Sequence, residues 1–174
     1  MSSALVETPC GPLGVVWDRD LVTRIELDPT PAFMQDATGP RPDWLLQPIL
    51  NYFERPCARL ELPVHVQGTA FQQRVWAELR QIPCGQTRTY GAIARQLGTS
   101  PRAVGQACRA NPCPLVIPCH RVVAVSGLGG FAGDLHGRKL AMKRWLLKHE
   151  GVVLDGSLVA DRPGSRDDRS RGGP

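Results

Sequence analysis

The sequence predicts an α/β protein in two parts, a small mixed N-terminal part followed by a mainly helical part that contains a helix-turn-helix. Residues 12–27 carry apolar side chains on either side of a turn, a pattern typical of two short strands. Residues 69–109 instead carry apolar side chains at helical spacing behind helix-capping residues. We therefore place the domains at residues 1–67 and 68–151.

The N-terminal part carries no pattern that indicates chemistry. Four prolines in residues 29–44 predict a loop without regular structure. A short helix over residues 44–53 and an extended stretch at residues 60–66 complete what we expect to be a small α/β domain.

Each of the next three helices is predicted from its ends. Thr69 is suited to cap a helix that runs to about Gln81. A second helix spans residues 90–97 and ends at a glycine. Ser100 caps a third helix, with Pro101 at its favoured first position. The short GTS connection between the second and third helices predicts a helix-turn-helix.

The third helix has two distinct faces. Val104 and Cys108 lie at i and i+4, on a side suited to packing in the core. The other face combines positive charge with missing side-chain bulk, and consists of Arg102, Gly105, Gln106 and Arg109.

Charge is distributed unevenly along the chain. Residues 1–67 hold 5 Lys and Arg against 9 Asp and Glu, whereas residues 68–151 hold 12 against 3. A basic block of this kind is either a solvated surface or the docking face for a polyanion. The block contains the predicted helix-turn-helix, which favours the polyanion.

The end of the chain is predicted to form a hairpin, a last helix and a tail. Residues 120–133 read as a hairpin with a glycine-rich loop. The last helix runs from Leu140 to Glu150, with Met142, Trp145 and Leu146 on its buried side, and a glycine follows it. Residues 152–174 are polar and charge-balanced, so we expect a disordered tail.

The six cysteines are expected to stay unbridged, most of them as small core residues. They form no CxxC pair, and a reducing compartment disfavours disulfides. No Cys or His pairs have zinc-finger spacing, so we expect no metal. The N-terminal sequence has neither a basic segment nor a long apolar run, so we expect a cytoplasmic protein without a signal peptide or membrane span.

Residues 114–123, PLVIPCHRVV, place a thiol beside two potential cations. Cys119 is followed by His120 and Arg121, a setting that turns a thiol into a thiolate, so Cys119 is a candidate nucleophile. Neighbouring side chains in an extended segment point to opposite faces. We therefore expect no direct bond between Cys119 and His120 unless the backbone turns sharply, and a water molecule would connect the two side chains.

Four segments carry the pattern of a known family: GTAFQQRVWAELRQIPCGQTRTYGAIA from residue 68, RAVGQACRANP from residue 102, IPCHRVV from residue 117 and KRWLLKHEG from residue 143. The sequence resembles the O6-alkylguanine-DNA alkyltransferases, or methylated-DNA–protein-cysteine methyltransferases. The resemblance covers residues 68–151 closely and residues 1–67 loosely.

The resemblance implies a fold, a reaction and a partner. The N-terminal part would be a ribonuclease-H-like α/β domain, and the C-terminal part a mainly α, winged-helix-like domain. An alkyl group would move irreversibly from O6 of guanine to the protein's own cysteine. Transfer from O4-alkylthymine stays open. The partner would be double-stranded DNA that contains O6-alkylguanine, bound by a monomer, with no metal or organic cofactor.

The same resemblance assigns catalytic roles. Cys119 would be the nucleophile, which His120 polarises through a water while Glu150 holds His120. Asn111 would brace the turn between the recognition helix and the active-site loop, and Tyr90 would contact the flipped base and the DNA backbone. From the residues alone, Glu150 reads as a solvent-exposed helix end, Asn111 as a helix stop and Tyr90 as core.

DNA-binding roles fall on the third helix. Arg102 would fill the space left by the extruded nucleotide, since a stacked base is out of reach of a buried thiol. Ala103 and Gly105 would be small so that the helix can approach the minor groove. Arg109 would contact a phosphate or remain a solvated charge.

The base pocket is implied to consist of backbone around Val122 and of the loop Phe131, Ala132 and Gly133. Two features depart from the family pattern. Phe131 stands where a tyrosine is common, and residues 134–142 form an extra stretch before the last helix.

Two other functions remain open. Cys119, His120 and Glu150 would also serve a thiol hydrolase, although a hydrolase has no need of a basic recognition helix. A non-catalytic protein that recognises alkylated DNA is the second alternative. Relatives of that kind carry another residue in place of the reactive cysteine, whereas this sequence has Cys119.

Overall fold

The structure, a computed structural model, describes residues 1–133 and 135–154 of the chain. The N-terminal part is built on an antiparallel sheet of β1 (Ser2–Val6), β2 (Leu13–Asp18) and β3 (Leu21–Leu27) in that order. The two predicted strands are confirmed as β2 and β3. The apolar side chains Val22, Ile25 and Leu27 of β3 are buried, in agreement with the pattern that predicts this strand. Strand β1 is not predicted, because its five residues carry no comparable signal.

The prediction of a continuous loop in the proline-rich segment is wrong, because the segment contains α1 (Pro31–Asp36). Pro31 occupies the first turn, where a missing N–H costs nothing, and the Thr30 side chain caps the helix. The helix predicted next is confirmed as α2 (Asp43–Glu54). The extended stretch that follows forms a single parallel bridge, between Val64 and Val22 of β3.

The second part contains the three predicted helices. They are α3 (Ala70–Arg80), α4 (Tyr90–Leu97) and α5 (Pro101–Arg109). Thr69 and Ser100 cap α3 and α5 as expected. Gly98 ends α4 in the left-handed region (φ 64°), so that α4 and α5 form the helix-turn-helix.

The predicted hairpin after Cys119 is wrong. Residues Arg88–Thr89 form β4, and Val122–Val123 form β5, which pairs with β4 in parallel. Only an isolated antiparallel bridge between Ala124 and Gly127 remains of the hairpin among the described residues. The glycines after β5 allow the chain to turn away, and β5 pairs with the distant β4 and not with the residues that follow it.

The last helix, α6 (Arg138–His149), begins two residues earlier than predicted and has Glu150 as its C-cap. Part of the extra stretch 134–142 is therefore helix, although Asp134 lies outside the described residues. Trp145 is only half-buried, and Lys143 is buried in its place. Of the predicted tail, all but residues 152–154 lies outside the described residues.

One disulfide contradicts the expectation that the cysteines stay unbridged. Cys57 and Cys84 are bonded across a sequence separation of 27, with their Cα atoms 5.4 Å apart. The CxxC pattern is local and carries no information on such a distant pair. Cys108 and Cys113 are free and buried, as expected of core cysteines, and Cys119 is free and buried as well. No helix among the described residues is long and apolar enough to cross a membrane.

The two parts are also joined by hydrogen bonds. The Ile25 N–H of β3 donates to Pro112 O at 2.8 Å, just after α5. Within the second part, the indole N–H of Trp76 in α3 donates to Ala107 O of α5 at 2.9 Å. These bonds fix the end of α5, from which the chain leads to Cys119.

Thr69→Ala is expected to destabilise the protein by about 1 kcal/mol, because it removes the cap of α3. The Thr69 hydroxyl accepts from Gln72 N, and the Gln72 side chain accepts from Thr69 N, so both partners of a capping box are present. Urea unfolding followed by circular dichroism measures the change. Thr69→Ser keeps the hydroxyl and serves as the control. Equal unfolding midpoints for Thr69→Ala and the wild type would contradict this account of the cap.

Candidate active site

A cavity of about 480 Å³ opens between the helix-turn-helix and the loop that precedes α6. We call it the Cys119 pocket, because Cys119 lies in its wall and is only 4% exposed. Its other walls come from α4, α5 and the glycine-rich loop, and include Tyr90, Arg102, Gly105, Cys108, Arg109 and Phe131.

Asn111 ties the end of α5 to the turn that carries Cys119. Its Nδ2 donates to Cys119 Sγ at 3.2 Å and to Ile117 O at 2.9 Å. Its Oδ1 accepts from Cys113 N at 3.0 Å. A single amide side chain therefore sets both the path of the turn and the position of the sulfur.

The segment at Cys119 was expected to be extended, but it forms a 3₁₀ turn over Cys119–Arg121. A 3₁₀ turn has three residues per turn, so successive side chains still point in different directions. Cys119 faces the pocket, whereas His120 and Arg121 turn inward to Glu150.

The carboxylate of Glu150 collects hydrogen bonds from three side chains. Its Oε1 accepts from Tyr52 Oη at 2.7 Å, His120 Nε2 at 2.9 Å and Arg121 Nη2 at 2.8 Å. Its Oε2 accepts from Arg121 Nε at 2.9 Å, while Arg121 Nη1 donates to Ile82 O at 2.7 Å. Glu150 is buried, so the solvent-exposed helix end suggested by the residues alone is wrong.

The protonation states of this cluster follow from burial and charge. Burial alone would raise the pKa of Glu150, but the bonds from His120 and Arg121 hold that pKa well below its usual range. Burial lowers the pKa of His120, so its ring is neutral at pH 7. The Nε2 proton then points to Glu150, and Nδ1 remains a buried acceptor with no hydrogen-bond partner among the described residues.

The expected thiolate at Cys119 is not the resting form. Burial raises the pKa of the Cys119 thiol, and the Asn111 bond, the charge of Lys143 and backbone N–H groups only partly offset this. Arg121 does not act on the sulfur as predicted, because its guanidinium is engaged by Glu150. The site therefore needs a base that takes the proton when the reaction starts.

Lys143 is a site residue that sequence reasoning missed. It is fully buried on α6, and its Nζ donates to Val122 O and Leu128 O at 2.6 Å and to Gly130 O at 3.0 Å. Burial lowers its pKa to about 8. The available signal was a lysine on the apolar face of a helix, between Met142 and Leu146.

The pocket loop agrees in part with prediction. Phe131, Ala132 and Gly133 line the pocket, and Ala132 and Gly133 both adopt positive φ, 48° and 84°. Val122 does not line it among the described residues, because its side chain is buried and its carbonyl is occupied by Lys143. Tyr90 lines the pocket and donates to Gly130 O at 3.2 Å, so it is not simply core.

The predicted DNA-binding residues lie at the pocket rim with one exception. Arg102, Gly105 and Arg109 line the pocket, and both arginines are exposed. Ala103 is half-buried and is not part of the described pocket wall. A Cβ added to Gly105 would meet no atom within 4 Å, so the missing bulk serves no internal packing.

Cys108 is the second residue whose position sequence reasoning missed. It is buried against the core, as its spacing with Val104 predicts, but it also lines the Cys119 pocket. The helical pattern distinguishes an inner from an outer face and does not reveal that a cavity borders the inner one. No cluster of three or more potential metal ligands occurs among the described residues.

Fold and site together define a helix-turn-helix protein with a buried, cysteine-centred pocket. Residues 70–152 match the family model for the DNA-binding domain of 6-O-methylguanine DNA methyltransferase. The methylated-DNA–protein-cysteine methyltransferase of Salmonella typhimurium is 38% identical over 86% of this chain and 95% of that protein. The chain therefore belongs to the methylated-DNA–protein-cysteine methyltransferase family.

Solved structures agree with this membership. The Mycobacterium tuberculosis OGT in complex with DNA has a TM-score of 0.70 and 32% identity, over 86% of this chain and 92% of that one. An O6-methylguanine DNA methyltransferase from Methanococcus jannaschii has a TM-score of 0.62 and 28% identity, over 92% and 100%. The mixed α/β fold is thus that of the family.

Glu150→Gln is expected to reduce the dependence of the free energy of unfolding on pH below about pH 4.3. The pKa of Glu150 is depressed in the folded protein, so its contribution is present above its unfolded pKa of about 4.3 and is lost as the pH falls further. The variant should also lose roughly 3 kcal/mol at pH 7, because it breaks a buried ion pair. Urea unfolding between pH 7 and pH 3 measures both effects.

The matched control for this prediction is Glu61→Gln. Glu61 pairs with Arg59, and both side chains are largely exposed, so its removal should change stability little. A wild type and a Glu150→Gln variant with the same dependence on pH would contradict the assignment of this dependence to Glu150.

Proposed function

We propose that this protein repairs DNA by moving an alkyl group from O6 of guanine to Sγ of Cys119. The single observation that carries the proposal is the place of Cys119, in a pocket whose rim is the basic face of the helix-turn-helix. Family membership supports the same reaction. The product is a thioether, which water does not cleave, so each molecule acts once.

The described elements support the domain assignment that accompanies this function. Residues 1–67, with their antiparallel sheet and α2, would form the ribonuclease-H-like domain. Residues 68–151, with α3 to α5 and the β4–β5 pair, would form the winged-helix-like domain. The protein would act as a cytoplasmic monomer.

Proton transfer starts the reaction. The acceptor is His120 Nδ1, which is buried, neutral and without a partner among the described residues. A water molecule between Cys119 and Nδ1 would carry the proton, and Glu150 stabilises the imidazolium that forms. The charge of Lys143 lowers the pKa of Cys119 and so favours the thiolate.

Displacement follows at the alkyl carbon. The Cys119 sulfur forms the new S–C bond as the bond from carbon to O6 breaks, and the guanine leaves with the electron pair. Tyr90 lies in the pocket wall, and burial raises its pKa, so its hydroxyl stays protonated. By turning from Gly130 O to the base, this hydroxyl would donate to the departing guanine. Phe131 supplies an apolar wall for the base.

Access to the base requires that it leaves the duplex. Arg102 is exposed at the pocket rim, where its side chain would occupy the space of the extruded nucleotide. Gly105 leaves α5 open to a close approach of the minor groove, and half-buried Ala103 adds no bulk there. Arg109 would contact a phosphate near the same rim.

Two alternative functions account for fewer features of the site. A thiol hydrolase would use Cys119, His120 and Glu150, but it gives no role to the exposed arginines of α5. A non-catalytic recognition protein would need no reactive sulfur, whereas Asn111 and the His120–Glu150 pair surround Cys119 with groups that position and activate it.

Cys119→Ala is expected to abolish methyl transfer while DNA binding persists, because the variant removes only the acceptor. The assay combines a duplex that contains one O6-methylguanine, intact-protein mass and a gel-shift titration. Cys113→Ala is the control, since Cys113 is buried nearby but does not line the described pocket. Methylation of the Cys119→Ala protein would overturn the assignment of the acceptor.

Arg102→Ala is expected to slow transfer from the duplex by roughly tenfold, because unstacking a base costs a few kcal/mol that the arginine helps to offset. Transfer from the free base O6-methylguanine should change much less. The control is Arg144→Ala, which removes an exposed arginine from α6, outside the described pocket wall. Equal losses on duplex and free base would show that Arg102 acts on the pocket and not on extrusion.

A further inference from the structure

The Cys119 pocket holds a second thiol that the transfer reaction does not use. Cys108 is 8% exposed and lines the same cavity as Cys119. Both thiols border one cavity of about 480 Å³, Cys108 from α5 and Cys119 from the 3₁₀ turn. Asn111 connects them further, because its N–H bonds to Cys108 O and its side chain to Cys119 Sγ.

We propose that Cys108 is a second acceptor site, for the far end of a two-carbon alkyl group that carries a leaving group, such as a 2-haloethyl group on O6 of guanine. The proposal rests on the proposed function, because the first carbon must already be on Cys119. The result is an ethylene bridge between the two sulfurs inside the pocket.

The bridge forms in balanced steps. Transfer to Cys119 makes an S–C bond, breaks the bond to O6 and leaves a 2-haloethyl thioether. The thioether sulfur then displaces the halide to give a three-membered episulfonium ion. The Cys108 sulfur attacks one ring carbon, that carbon's bond to Cys119 breaks, and the Cys108 proton passes to solvent. No oxidant or reductant is required, and guanine, halide and a proton are released.

The pocket chemistry favours Cys108 over other nucleophiles. Among the described residues of the pocket wall, Cys108 is the only other thiol, and none has a carboxylate or an amine. Episulfonium ions react readily with soft sulfur nucleophiles. Water and the DNA are the competitors, and capture by Cys108 would protect the DNA from a cross-link to the protein.

The electrostatic conditions change in favour of Cys108 once Cys119 is alkylated. Burial raises the pKa of Cys108, as does negative charge on Cys119, whereas the charge of Lys143 lowers it. An alkylated Cys119 cannot carry a negative charge, and the episulfonium ion places a positive charge on its sulfur. Loss of the Cys108 proton is therefore easiest at the step that needs it.

The experiment generates the same haloethyl thioether with 1,2-dibromoethane on the full chain. After trypsin digestion, Cys108 lies in the peptide 103–109 and Cys119 in the peptide 110–121. Mass spectrometry should find the two peptides joined by one ethylene unit, and fragmentation should place the link on Cys119 and not on Cys113. Cys108→Ala should lose the joined peptides and carry a hydroxyethyl group on Cys119 instead.

Cys10→Ala is the matched control, since Cys10 is free but lies outside the pocket wall, and it should keep the bridge. Far-UV circular dichroism and the urea unfolding midpoint of Cys108→Ala, compared with the wild type, show whether this variant is folded. A wild-type protein whose two peptides are not joined, or a bridge that persists in Cys108→Ala, would overturn the second acceptor site.

A separate arm distinguishes this proposal from the proposed function. The wild type is first incubated with the O6-methylguanine duplex and then treated with 1,2-dibromoethane. Methylated Cys119 with no bridge supports both proposals. Unmethylated Cys119 with the bridge intact supports the pairing of the thiols and overturns alkyl transfer from DNA.

Discussion

The buried carboxylate of Glu150 is the interaction on which the rest of the site depends. It bonds Tyr52 from the N-terminal part and the two residues that follow Cys119. A buried charge is tolerated only when it is paired and hydrogen-bonded, so its partners have little freedom to move. Holding His120 and Arg121 in this way leaves Cys119 one orientation, into the pocket.

Two further polar side chains complete the arrangement, and both bind backbone carbonyls. Asn111 sets the turn before Cys119, and Lys143 gathers three carbonyls from the segment after it. The nucleophile is thus fixed from the side of α5 and from the side of α6. A rigid surround of this kind suits a reaction that depends on the alignment of one sulfur with one carbon.

What the sequence predicts well is local. Thr69, Ser100 and Gly98 mark helix ends through bonds that span a few residues, and the helices lie where these residues place them. Cys119 and His120 stand out from the residues alone, as a thiol beside potential cations, whereas the role of Glu150 comes only from the family resemblance. The sequence alone does not reveal that role, because Glu150 at a helix end looks solvent-exposed. In the fold it is buried and bonded to Tyr52, which lies 98 positions away in sequence.

What the sequence does not predict depends on distant partners. The pairing of β5 with β4, the carbonyls gathered by Lys143 and the pocket beside Cys108 all arise when separate elements meet. Helix α1 was missed for another reason, since proline excludes a helix interior but not a first turn.

The disulfide between Cys57 and Cys84 connects the two parts of the chain covalently at a second point, besides the backbone. It closes a covalent ring that spans the boundary between residues 1–67 and 68–151, and Cys57 Sγ lies 3.8 Å from Glu150 O. A protease that cuts the connecting segment would yield two fragments that still travel as one molecule until a reductant is added. The two parts follow one another along the chain, but in the oxidised protein they are not separable pieces.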